Sequence, residues 1–305
     1  MPSFELGHGY LPPSLWREGI LHLPDCLVAP YRRELERTGS LEEASGPSPR
    51  DAEIVGGSSE QETQTHFTHR FAASAVRTEY LVLDPAQVFR SVCCDLLRLL
   101  ADGTVAVLDV PCGAGAGILG VLTTLCEMRA LECLPRLTLN IMITAGDISE
   151  TVRGLYGRLL EAAEPSLREQ GIRIQWRVFS WDAADEATTA AIVDQLFGAT
   201  VSEQYLVLIA AFSGDGTGQF DAFSRSFQHI AARLHDRPAT VLWVEPKMAK
   251  AATFLDRIEA LFAQLFGRIL SATPRRIGHF RWQHPFKADV LNGSAEVLGH
   301  RRTLR

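Results

Sequence analysis

Residues 105–117 read VAVLDVPCGAGAG. The first six, VAVLDV, are apolar and rich in β-branched side chains apart from Asp109, which fits a parallel strand buried on both faces. Gly113 and Gly115 then remove side chains where a ligand must approach the backbone. The following stretch, ILGVLTTLCEMRAL (118–131), predicts a helix beginning near Gly117. The first N–H groups of such a helix lack intrahelical partners and favour negative charge. A strand, a glycine turn and a helix in this order form the opening unit of a doubly wound α/β sheet, whose ligands sit beyond the carboxyl ends of the strands.

Working outward, the alternation continues. Strands are predicted over TLNIMITAGD (138–147), IRIQWRVFS (172–180), QYLVLIAAF (204–212) and TVLWVEP (240–246), with IGHFRWQHPF and AEVLGHRRTL near the end as two more. Helices are predicted over 149–170, 187–198, 220–236 and 251–266. Alternating strands and helices imply right-handed crossovers. The expected fold is α/β: a doubly wound, mostly parallel, seven-stranded sheet with helices on both faces, preceded by a mainly helical N-terminal extension.

Upstream, residues 1–38 form that extension, with Pro30 placed to open a short helix over YRRELER. Residues 39–65 are rich in Gly, Ser, Pro and acidic residues and read as a flexible linker or lid. Residues 66–104 read as a helical cap leading into the core, with Val88, Val92, Leu96, Leu97 and Leu100 at helical spacing. Residues 105–305 form the ligand-binding domain.

Composition limits the alternatives. The 305 residues carry 46% hydrophobic side chains and a net charge of −6, which disfavours a general polyanion binder. The six cysteines contain no CxxC pair and no zinc-ligand spacing with histidine, so no metal site is expected. They read as small buried side chains in a reducing compartment. Neither a secretory leader nor an apolar run of about 18 residues is evident, so a cytoplasmic protein without a membrane segment is expected. A homodimer is the base-rate expectation for oligomeric state.

The stretch DVPCGAG (109–115) resembles the first motif of the class I S-adenosylmethionine (SAM)-dependent methyltransferases, D-x-G-x-G-x-G, with Pro111 in place of the first glycine. The resemblance implies that Gly113 and Gly115 pass beside the methionine part of SAM and that Asp109 meets its amino group. The dinucleotide pattern G-x-G-x-x-G needs a third glycine where Ile118 stands. In AGDIS, the resemblance places Asp147 on the ribose hydroxyls and Ile148 on the adenine. After the third strand, Asp182 would accept from the adenine amine, and Trp181 would stack beside the purine or lie in the core. Ala211 and Phe212, ending the fourth strand, would face the transferable methyl group. No D/N-P-P-Y/F motif of DNA-amine methyltransferases occurs.

The acceptor is less legible, because methyl transfer asks mainly for alignment of donor and nucleophile. Tyr80 and Asp215 are catalytic candidates; His69, Arg77, Tyr80 and Ser213 are substrate-binding candidates, with His66 and Arg70 as further contacts. The expected activity is methyl transfer to a small molecule or natural product. The alternatives are an RNA or protein acceptor, using the basic and aromatic residues between Pro274 and Arg305, or a non-catalytic interaction module.

Overall fold

The computed structural model describes residues 11–47, 59–199, 202, 204–212, 220–247, 255–261 and 271–302. The chain opens with β1 (Trp16–Arg17) and β2 (Ile20–His22), then α1 (Asp25–Arg37), α2 (Leu41–Ser45), α3 (Glu60–Leu83) and α4 (Arg90–Leu99). Alternation follows as β3 (Gly103–Asp109), α5 (Ala116–Ala130), β4 (Leu139–Asp147), α6 (Glu150–Glu169), β5 (Ile172–Ser180), α7 (Glu186–Ala199), β6 (Gln204–Ala210), α8 (Phe220–Leu234) and β7 (Ala239–Glu245). A helix over 255–261, α9, precedes β8 (Ser271–Gln283) and β9 (Val290–Arg302).

All strands join one sheet, in the order β1-β2-β8-β9-β7-β6-β3-β4-β5. The sheet has nine strands, not the expected seven. The two extra ones come from the N-terminal extension: Leu21 of β2 pairs in parallel with Trp282 of β8, and β1 folds back on β2. β9 lies antiparallel between β7 and β8. The remaining neighbours, from β7 through β6, β3 and β4 to β5, are parallel. The chain builds β3, β4 and β5 in one direction, then returns to place β6 on the other side of β3. The switch point therefore lies between β3 and β6.

Alternate side chains sort onto two faces. Val105, Val107, Leu206, Leu208, Leu242 and Val244 pack under α1, α3, α5 and α6. Ala106, Leu108, Val207, Ile209, Val241 and Trp243 pack under α7, α8 and α9. Helices thus cover both faces, as the continuous apolar strands require.

Two helix starts differ from expectation. Pro30 lies inside α1, which begins at Asp25 after Pro24. α3 begins at Glu60, because Ser59 and Glu62 form a reciprocal capping box. The stretch 39–65 thus holds α2 and the first turn of α3, and residues 48–58 lie outside the described ones. No described helix is long and apolar enough to cross a membrane.

α3 packs closely on α5. A Cβ at Gly120 would lie 2.2 Å from Thr78 Oγ1 and 2.6 Å from the Ala75 carbonyl oxygen. The backbone contact cannot be relieved by a rotamer change. Gly120→Ala is expected to cost about 1–3 kcal/mol, read as a lowered urea midpoint.

Glu79 of α3 is fully buried, and neither carboxylate oxygen has a hydrogen-bond partner. Burial alone holds its pKa well above the usual carboxyl range. A carboxyl raised in the folded state binds its proton more tightly than the unfolded chain does. Its contribution is therefore fully present below the unfolded pKa and is lost as pH rises toward the folded one. Glu79→Leu is expected to raise stability by about 1–3 kcal/mol at neutral pH. The gain should shrink on acidification; urea titrations at several pH values check both.

At the edge of the sheet opposite the strands' carboxyl ends, Arg129 of α5 is 1% exposed. It donates to the carbonyls of Leu100, Ala101, Leu137 and Gln170 at 2.7–3.4 Å. One side chain thereby ties the ends of α4 and α6 to the loop before β4.

Candidate functional site

At the carboxyl edge of the sheet, β3 ends at Asp109. The turn after it contains a cis Val110–Pro111 bond and two left-handed glycines, Gly113 (φ 50°) and Gly115 (φ 85°), the second being the N-cap of α5. The Cys112 N–H donates to the Gly146 carbonyl at 2.8 Å, tying the turn to the end of β4. A Cβ at Gly115 would lie 3.0 Å from the Tyr156 ring, and one at Gly117 would lie 2.9 Å from Ala210 Cβ. A Cβ at Gly113 would meet nothing within 4 Å. Gly115 and Gly117 thus serve close packing, whereas Gly113 borders open space.

Asp109 is 1% exposed, and Tyr156 Oη–H of α6 donates to its Oδ2 at 3.0 Å. Burial pushes the Asp109 pKa well above its ordinary value; the Tyr156 hydrogen bond opposes this and the charge of Asp147 reinforces it. Asp147 accepts from Gly113 N–H at Oδ2 (3.2 Å) and from Ser149 N–H at Oδ1 (3.0 Å). Its pKa is also raised by burial, against the pull of those N–H groups and of Arg153. Ser149, not Asp147, caps α6, accepting from Val152 N–H. Beside it Ile148 is 59% exposed, an unusual position for a large apolar side chain. Cys112 is buried at the same turn, its thiol pKa pushed up by burial and by both aspartates.

Asp109, Pro111, Gly113, Gly115, Asp147 and Ile148 are thus gathered at the tips of β3 and β4. The other sequence candidates are spread more widely. Trp181 is 2% exposed, donates from Nε1 to Thr189 Oγ1 at 2.9 Å, and packs in the core of the second face. Asp182 accepts from the Ala184 N–H in the turn before α7. Ala211 is exposed just past β6, with φ 56°. Phe212 packs toward Phe223, Phe227 and Trp243, and its N–H donates to Glu245 Oε1 at 2.8 Å. Ser213 and Asp215 lie outside the described residues.

Tyr80 is 1% exposed, packed on Phe89 and Phe280, with its hydroxyl donating to the His279 carbonyl. Burial and Asp84 push its pKa up to about 12. The structure therefore places it under β8, away from the tips of β3 and β4. His69 faces α2, its Nε2 2.8 Å from Glu43 Oε1. Arg77 sits nearer the edge, donating from Nε to the Ser294 carbonyl and from Nη1 to Ser74 Oγ. Sequence reasoning missed Tyr156. It belongs to the apolar stripe Leu155, Tyr156, Leu159 and Leu160, and nothing in that periodicity marks it as the donor to Asp109.

A shallow groove of about 730 Å³ lies beside Arg129, lined by Glu132, Cys133, Leu134, Pro135 and Arg136. It is at the other edge of the sheet and gathers no acid–acceptor set, so the tips of β3 and β4 are the better candidate. Among the described residues no group of three or more His, Cys, Asp or Glu side chains could hold a metal.

No family model matches this chain, and no curated protein matches it in sequence. Among solved structures it is similar to a protein studied for the conversion of a disulfide bond into a thioacetal group during echinomycin biosynthesis. That likeness has 15% identity and a TM-score of 0.34 over 70% of this chain and 81% of the other. A protein from Pyrococcus horikoshii, provisionally assigned as an RNA methyltransferase, has 10% identity and a TM-score of 0.37 over 90% of this chain and 100% of the other. At such values neither likeness bears on activity.

Proposed function

We propose that this chain binds SAM at the switch-point edge and transfers its methyl group to a small-molecule acceptor. The observation that carries the reading is the meeting, at the tips of β3 and β4, of the buried Asp109 carboxyl and the half-buried Asp147 carboxyl with a glycine turn open at Gly113. Asp109 has a neutral phenol as its hydrogen-bond partner and a pKa raised by burial. A ligand ammonium supplies the charge that such a carboxylate needs. Each Asp147 oxygen accepts one backbone N–H and keeps a lone pair for a sugar hydroxyl. Ile148 offers an exposed apolar platform beside that carboxylate, suited to a purine face.

When bound, SAM supplies an electrophilic methyl group on a sulfonium. The residues of this chain hold and orient it. Asp109 and Asp147 fix its two polar ends, and the turn, open at Gly113, lets the backbone lie against it. The left-handed Ala211 follows β6, the strand next to β3, where an acceptor would meet the methyl group.

Calorimetry tests the reading. SAM is expected to bind at micromolar strength, on the order of −8 kcal/mol, with NAD showing no comparable heat. Because a cationic ligand pairs with ionised carboxylates, affinity should fall as pH drops through the raised Asp109 and Asp147 pKa values and level off above them. Binding near those pKa values should release protons, seen as a heat that varies with the buffer. NAD binding in place of SAM would refute the proposal.

A further inference from the structure

Helix α3 crosses the same edge. Its first turn is fixed at the tip of β4, where Thr63 Oγ1 lies 3.3 Å from Ser149 Oγ. Farther along, Arg77 is fixed at the tip of β7: its Nε donates to the Ser294 carbonyl, and Ser294 Oγ accepts from Lys247 N–H just past that strand. From Thr63 to Arg77 the helix rises about 21 Å. From β4 across β3 and β6 to β7 is about 14 Å. The helix therefore has the length to pass over the switch point on a slant.

At 100° per residue, Thr63, His66, Arg70, Ser74 and Arg77 fall within about 80° of one another. The two residues whose contacts are known at the ends, Thr63 and Arg77, thus orient the whole stripe toward the strand tips. The stripe is only partly exposed, and its ionisable members are basic. Burial, reinforced by the charges of Arg70 and Arg77, lowers the His66 pKa to about 4. The imidazole is therefore neutral at physiological pH, and the two guanidiniums carry the charge. Their sign is opposite to that of Asp109 and Asp147 on the strand tips.

We propose that His66, Arg70 and Arg77 form the acceptor-binding face over the strand tips and select a small-molecule acceptor bearing a carboxylate or phosphate. The inference rests on the methyl-transfer reading above. Arginine recognises both anions through paired N–H donors. Arg77, already fixed in position by Ser294 and Ser74, is pre-oriented for that task, and the neutral His66 adds a hydrogen bond.

The test titrates the full chain, saturated with S-adenosylhomocysteine, with inorganic phosphate and separately with acetate, reading thermal shift and calorimetric heat. Arg70→Gln and the Arg70→Gln/Arg77→Gln pair are compared with the wild type after circular dichroism confirms folding. Saturable binding of either anion, weakened by about tenfold or more in the double variant with SAM affinity held within about twofold, supports the proposal. The stronger anion identifies the acceptor's charged group. Anion binding that is absent or indifferent to both variants, with SAM still bound, overturns this inference and leaves the cofactor reading standing. Absence of SAM binding in the wild type overturns both. Displacement of phosphate by a short single-stranded RNA at far lower concentration overturns the small-molecule assignment.

Discussion

Asp147→Ala is expected to lower SAM affinity by about 100-fold or more, because charge-assisted hydrogen bonds to a sugar contribute about 1.5–3 kcal/mol each. The side chain has two duties. Its oxygens hold the Gly113 and Ser149 N–H groups at 3.2 and 3.0 Å, and the proposed ribose contacts use the remaining lone pairs. Alanine removes both, so the glycine turn keeps only the Cys112 N–H to Gly146 carbonyl bond of the two links to the tip of β4 described above. Asp147→Asn separates the duties, since an amide oxygen still accepts one N–H but carries no charge. Calorimetry on both variants, with circular dichroism to confirm folding, reads the effect. Unchanged SAM affinity in the alanine variant would remove Asp147 from the ribose role.

The largest loss of stability is expected for Arg129→Met. The guanidinium is 1% exposed and serves four backbone carbonyls, those of Leu100, Ala101, Leu137 and Gln170. Leu100 and Gln170 are the C-caps of α4 and α6, where helices leave carbonyls without intrahelical partners. Methionine fills similar volume but donates nothing, so buried acceptors are stranded. The expected cost is about 3–5 kcal/mol, read from urea unfolding. Arg129→Lys should recover only part of it, since one ammonium cannot reach four carbonyls in a planar fork. A cost below about 1 kcal/mol would show that water satisfies these groups.

The central parallel strands were legible because each is a continuous apolar run, and α6 and α8 because their apolar positions recur at helical spacing, whereas α5 is buried on all sides and shows no such period. β3 and the glycine turn after it stand where residues 105–117 place them. The extra strands were not legible. Trp16–Arg17 and Ile20–His22 are too short to show a period, and only pairing with β8 makes them strands. The start of α3 was legible in principle, since Ser59 and Glu62 have capping-box spacing, but the acidic, glycine-rich surroundings favoured a linker. In the candidate site, Asp109, Gly113 and Asp147 follow from their places at strand ends. Tyr156 and the Thr63–Ser149 contact do not, because they depend on how α3 and α6 rotate about their axes, which apolar periodicity sets only to within a face. Trp181 shows the converse: an aromatic at a strand end reads equally as ligand platform or core, and the Thr189 hydroxyl that receives its N–H places it in the core.

The pairing of Leu21 with Trp282 joins residues 261 positions apart (282 − 21). On a ribosome adding about 5–20 residues each second, the segment bearing β2 waits on the order of 13–50 s for its partner strand to be made. Leu21 is fully buried in the finished molecule, so throughout that interval an apolar stretch has no place to dock on β8. Closing so long a loop is slow compared with forming local helices. The outer margin of the sheet is therefore expected to be among the last parts completed, and the nascent chain to be most exposed to chaperones and proteases around β2.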